Sequence, residues 1–133
     1  MKRKLASMLF AALFVFVFNS ETYASAGDFV TEDGKWDGYV VTDSHYRNVY
    51  VFVNDLYRVN RNSGASTYMG KDASALSVRL CSESSGNCTA PKSFNSNAEA
   101  YFTDMLPGDY YVDISDSWPN YYFKGYQESD SYS

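Results

Sequence analysis

The chain has 133 residues and a formal charge of −5 at pH 7, with 13 tyrosines and a single histidine. An acidic balance is repelled by phosphate backbones and by anionic lipid surfaces, which argues against nucleic acid or a polybasic membrane contact as the working chemistry. The length suits one domain with a modest core, burying roughly two thirds of its unfolded surface.

Lys2, Arg3 and Lys4 precede an apolar run over residues 8–18, and Ala24-Ser25-Ala26 follows a polar stretch. A helix of that run rises about 16 Å, short of the roughly 30 Å hydrocarbon core, so the run does not read as an anchor. Charged, apolar and small-residue segments in this order predict a secretory signal peptide over residues 1–26. A single secreted, extracellular domain over 27–133 is expected to remain. No later apolar run is long enough to span a membrane, so no membrane insertion of the mature chain is expected. Removing the signal takes away three of 11 basic residues and one of 16 acidic ones, giving 8 − 15 = −7. Twelve of the 13 tyrosines stay, and aromatic residues favour half-buried strand faces.

Residues 27–35 are polar and read as a loosely held arm. Residues 36–41 (WDGYVV) form a candidate strand, and 42–45 a loop. Val49-Tyr50-Val51-Phe52-Val53 is apolar on both faces, as in a central covered strand. The pairing is expected to continue through Leu56 and Val59 after a bend at Asn54-Asp55. Residues 60–72 read as a long loop or an edge hairpin. Residues 75–81 alternate, with Leu76, Val78 and Leu80 on one side and Ala75, Ser77, Arg79 and Cys81 on the other.

Cys81 and Cys88 are the only cysteines. An oxidising compartment favours a disulfide between them, worth about 2.5 kcal/mol for so short a loop in the chain-entropy model. No CxxC motif is present, and two cysteines with one histidine do not make a structural zinc site. Asn87-Cys88-Thr89 matches a glycosylation sequon. Residues 89–94 suggest an edge strand because of Pro91, and residues 98–103 another short strand. Leu106-Pro107-Gly108-Asp109 predicts a type II turn. After it Tyr110, Val112 and Ile114 point inward, and Tyr111, Asp113 and Ser115 outward. Residues 117–120 turn the chain, residues 121–126 form the last strand, and the polar residues 127–133 read as a frayed tail. Short alternating segments between turn residues, with no amphipathic helical repeat, indicate an all-β protein: an antiparallel β-sandwich of about seven strands.

Leu76-Ser77-Val78-Arg79-Leu80, a polar loop, Tyr101-Phe102-Thr103, then Leu106-Pro107-Gly108-Asp109-Tyr110-Tyr111-Val112-Asp113-Ile114 and an aromatic closing strand form one pattern. It resembles bacterial pre-peptidase C-terminal domains and related secreted β-sandwiches. The resemblance covers about half of the mature chain, and transthyretin-like and immunoglobulin-like sandwiches carry a similar turn and strand. Residues 58–71 depart from it. It implies a non-catalytic extracellular accessory or binding module and transfers no catalytic residue.

His45 follows Asp43 and Ser44, but no Gly-x-Ser-x-Gly elbow accompanies it, so a solvated loop residue is expected. Asp104, Asp109, Asp113 and Asp116 are formal candidates for glycoside cleavage, and Asp109, Asp113 and Asp116 for calcium binding. Without an EF-hand pattern they read as solvated acids, with no metal and no cofactor expected. The sharper expectation is an aromatic binding surface using Tyr111, Trp118, Tyr122 and Tyr126, since aromatic rings are common in binding interfaces. The expected function is a non-enzymatic binding or accessory module contacting an extracellular protein or glycan. The alternative is a small secreted toxin or inhibitor, and a hydrolase comes third.

Overall fold

The computed structural model describes residues 4–5, 7–8 and 24–133. The signal peptide predicted over 1–26 therefore falls almost wholly outside the described residues. Only the dipeptides Lys4–Leu5 and Ser7–Met8, paired in parallel, and residues 24–26 are described from it.

From residue 24 onward nine strands form two antiparallel sheets, and the described residues hold no helix. In chain order they are β1 (Ser25–Val30), β2 (Gly38–Thr42), β3 (Asn48–Asn60), β4 (Ser66–Gly70), β5 (Leu76–Ser82), β6 (Lys92–Ser93), β7 (Glu99–Phe102), β8 (Gly108–Asp116) and β9 (Tyr121–Tyr132). One sheet runs β2-β8-β5-β6. The other runs β1-β9-β3-β4, with β7 also pairing β3. The sandwich is as the sequence indicated, with two more strands than about seven.

The core lies between the sheets. Val40, Val78, Leu80, Val112 and Ile114 face Val49, Val51, Val53, Leu56, Phe102 and Phe123, all buried. The alternation on β8 and on Leu76, Val78 and Leu80 is as predicted. Cys81, on the other side of β5, is buried too, bonded to Cys88 across an isolated bridge. The bend at Asn54-Asp55 is a β-bulge: the register shifts there, and Asp55 has a φ of 50°. Opposite it stands Gly125, where a Cβ would lie 2.8 Å from Leu56 Cδ2 and 2.9 Å from the Asn54 carbonyl oxygen. A side chain at 125 would collide with the bulge, which explains a glycine in a central strand.

Four expectations give way. Residues 127–133 are not a frayed tail: β9 extends to Tyr132 and pairs β3 on one side and β1 on the other. Gln127, Ser129 and Ser131 are buried. Residues 27–35 are not a loose arm as far as Val30, because β1 pairs with β9 and seats Phe29 in the core. Leu106-Pro107-Gly108-Asp109 makes no compact turn; Gly108 already begins β8, and Thr42 Oγ1 donates to the Leu106 carbonyl at 2.8 Å. The expected strand over 89–94 shrinks to Lys92–Ser93.

Candidate binding surface

Aromatic side chains gather in three places, set by strand parity. The four predicted binding residues are divided among them.

The first is the outer face of the five-stranded sheet. On β9 the inward positions are taken by Phe123 and Gln127, so Tyr122, Lys124, Tyr126, Glu128, Asp130 and Tyr132 face out. Tyr50 and Tyr101 are register partners and pack with Tyr132, at 6.5 and 6.4 Å between ring centroids. Beyond the bulge Tyr57 and Tyr68 are also partners, with rings 5.1 Å apart, and the Lys124 ammonium lies over the Tyr57 ring. Arg61 lies over Tyr122 at 5.9 Å. Seven tyrosines thus share one sheet face.

Carboxylates are interleaved with them. Tyr101 donates to Glu99 at 3.0 Å and Tyr68 to Asp55 at 3.2 Å. These hydrogen bonds are the main reason that both phenols are held above their ordinary pKa. Burial, then the charges of Asp130 and Glu128, does the same for Tyr50. Each of these rings stays a neutral phenol. A cleft of about 440 Å³ opens on this face, lined by Asp28, Phe29, Val30, Asp55, Tyr57, Lys124, Gly125 and Tyr126. Its walls offer two phenols, two carboxylates and one ammonium.

The second place is the outer face of the four-stranded sheet. Trp36 stacks on Tyr111 at 4.8 Å and 5°, and Tyr39 tilts against Tyr111 at 5.8 Å. Burial, followed by the Asp109 carboxylate, pushes the Tyr39 phenol up to about 12. The Glu83 charge raises Tyr111, whose hydroxyl donates to Glu83 at 3.3 Å.

The third is an end of the sandwich. Trp118 packs edge-on against Tyr121 and Phe123, and the Arg58 guanidinium lies over the rings of Trp118 and Tyr121. Trp118 is partly buried against the core. Its surroundings are those of a packing residue.

Tyr122 and Tyr126 therefore share a face as expected. Tyr111 lies on the opposite sheet, and Trp118 closes the core edge. Sequence reasoning missed Tyr50, Tyr57, Tyr68, Tyr101 and Tyr132. Tyr132 keeps the parity of Tyr126, a signal available once the polar tail is read as strand. The other four depend on register across the sheet, which local sequence does not carry.

The remaining candidates are dispersed. His45 is exposed against the Tyr46 ring, and Asp43 accepts the backbone N–H groups of His45 and Tyr46. Asp113 pairs with Arg79 at 2.8 Å and Asp104 with Arg47 at 3.7 Å. Asp116 accepts from Thr31 and from the Trp118 N–H. Among the described residues no group of three His, Cys, Asp or Glu is placed to hold a metal ion, and no helix is long and apolar enough to cross a membrane. Comparison with known protein families and with curated proteins finds no match.

Proposed function

We propose that this protein is an exported, non-catalytic binding module that grips a basic extracellular protein through the tyrosine face of its five-stranded sheet. The observation that carries the reading is the seven tyrosines on one face, interleaved with Asp28, Asp55, Glu99, Glu128 and Asp130. Tyrosine supplies broad, rigid contact area at low entropic cost and dominates many protein-recognition surfaces. Neutral phenols beside carboxylates suit arginine and lysine side chains, which stack on the rings and pair with the acids. The net charge points the same way. The disulfide is compatible with an extracellular site of action. The resemblance to secreted accessory sandwiches implies a module of the same kind.

The breadth of the face, across β7, β3, β4 and β9, favours a protein over a single sugar. The test is binding of the mature protein to a panel of secreted proteins of high isoelectric point, run beside a glycan array. Binding to basic proteins is expected, weakening as salt rises. It should fall about tenfold or more when Tyr57→Ala and Tyr126→Ala are combined, the loss expected for hot-spot aromatics. Binding confined to glycans overturns the partner class. Binding to neither, or binding indifferent to both tyrosines, overturns the surface.

A further inference from the structure

We infer that Trp36 and Tyr111, on the outer face of the four-stranded sheet, form a carbohydrate site that takes a neutral glycan with flat, equatorially substituted pyranose rings. The site lies on the opposite sheet from the tyrosine face and stands independently of the partner proposed for that face.

Two clamps hold the rings as a platform. The Asp37 N–H donates to the Val112 carbonyl at 2.9 Å, and Asp37 Oδ2 accepts the Ile114 N–H at 2.8 Å. These bonds fix the chain onto β8 just ahead of β2. They lay the Trp36 indole on Tyr111, with 4.8 Å between ring centroids and 5° between planes. Tyr111 is fixed in turn. Its register partner Tyr39 tilts against it, and its hydroxyl donates to Glu83 at 3.3 Å. Glu83 sits on the hairpin closed by Cys81–Cys88, and its N–H donates to the Asp109 carbonyl at 2.9 Å. One face of the indole rests on Tyr111, yet Trp36 is 50% exposed. A large ring held open at a fixed angle has already met much of the ordering cost of binding.

A cleft of about 240 Å³ opens beside the indole, with Glu32, Lys35, Asp37, Asp113 and Ser115 among its walls. Glu32 pairs with Arg61, and Asp113 with Arg79. Paired carboxylates carry little uncompensated charge but keep lone pairs for hydroxyl donors. Lys35 and Ser115 supply donors of their own. Acceptors and donors beside a flat apolar ring match a neutral sugar. The C–H groups of one pyranose face lie on the electron-rich face of the indole, and the hydroxyls at its rim reach the cleft. An axial hydroxyl would break that flat face. An acidic sugar would meet three carboxylates and a net charge of −5. A protein partner finds less here, since one exposed ring makes no broad apolar patch.

The test is titration of protein purified from cells expressing the full chain with cellohexaose and chitohexaose, read by calorimetry and tryptophan fluorescence, with heparin as the acidic control. Binding of a neutral oligosaccharide is expected, with a change in indole emission. Trp36→Ala should weaken it about tenfold or more, as for other aromatic anchors. Ser115→Arg, at an exposed position, should fill the cleft and weaken binding too, and it serves where Trp36→Ala does not fold. Tyr57→Ala combined with Tyr126→Ala should leave sugar binding unchanged. No binding to either oligosaccharide, binding indifferent to Trp36→Ala or to Ser115→Arg, or binding to heparin alone overturns the site. Loss of basic-protein binding in Trp36→Ala assigns the platform to that partner and overturns the sugar. Sugar binding that persists while basic proteins fail to bind removes the tyrosine-face proposal and supports this one.

Discussion

β3 and β9 are neighbours along the centre of one sheet, yet they meet the core with opposite chemistry. Val49, Val51 and Val53 point inward from β3, and their register partners Ser131, Ser129 and Gln127 point inward from β9. The first triplet is buried by its own apolar surface. The second is buried by position and stays affordable only where its polar atoms find partners, as Gln127 does with Ser25 and Ser129. β9 itself changes character at the bulge, since Phe123 upstream is a fully buried apolar anchor. A central strand thus needs no hydrophobic pattern throughout: an anchored apolar half carries the polar half into place.

The largest test of that division is Phe123→Ala. If the apolar half anchors β9, truncation should cost about 3–5 kcal/mol, the range for a buried aromatic. Urea unfolding monitored by tyrosine and tryptophan fluorescence checks this. A loss under about 1 kcal/mol would place the anchor elsewhere.

The next test concerns the polar half. Gly38→Ala forces a Cβ against the Gln127 amide and should cost about 1–3 kcal/mol by overpacking. Gln127→Ala should cost a similar amount by emptying the site and stripping Ser129 of its acceptor. The two penalties should not add. With the amide gone, Gly38→Ala should be close to neutral, giving a coupling of about 1–3 kcal/mol in a double-mutant cycle. Additive losses would mean that Gln127 is not the obstacle at Gly38.

The same contrast explains what was legible in the sequence. β5 and β8 carry their burial in apolar alternation, so their faces and the fold class follow from local pattern. Val49 to Val53 reads as apolar on both faces, and the structure corrects this, burying Val49, Val51 and Val53 while Tyr50 and Phe52 stay half-buried. Gln127, Ser129 and Ser131 have the composition of an exposed tail, and only pairing on both sides buries them. Residues 25–30 share the problem, because a six-residue strand with one large apolar residue, Phe29, becomes visible only beside its partner. The candidate site was half legible for a related reason. Tyr122 and Tyr126 share a face by parity within one strand. Tyr111 and Trp118 required knowledge of which sheet each strand joins, and Tyr50 with Tyr101 required register.

Asp37 extends the comparison to a half-buried acid just ahead of β2, at the edge of the other sheet. Its Oδ2 accepts the Ile114 N–H at 2.8 Å. Burial pushes its pKa up from 3.8 to about 7, with the nearby Asp113 and Asp33 charges adding to the rise and the Ile114 bond opposing it. A raised acid pKa means that the folded state holds a proton that the unfolded state has released. Asp37 therefore contributes stability that declines as pH rises from about 4 to about 7. Asn at this position keeps an oxygen for Ile114 and cannot ionise. Asp37→Asn should flatten the fall in urea midpoint across that window. A parallel slope in parent and variant would show that burial does not govern Asp37.

The smallest effect is expected at Ser131, and it separates the two ways a polar group can be buried on β9. Its register partner is Val49, it is 9% exposed, and its hydroxyl oxygen finds no hydrogen-bond partner, unlike Ser129 one position earlier in the same row. A buried hydroxyl without a partner keeps its desolvation cost and gains no bond in return, so removing it relieves the strand. Ser131→Ala should therefore be neutral or raise stability by up to about 1 kcal/mol, whereas Ser129→Ala should lower it by about 1 kcal/mol because a bonded hydroxyl is lost. Urea midpoints of the two variants are the measurement. Equal losses at both positions would mean that the row is held by serine itself. Opposite signs would show that partners, and not polarity, decide which members of a polar central strand stabilise it.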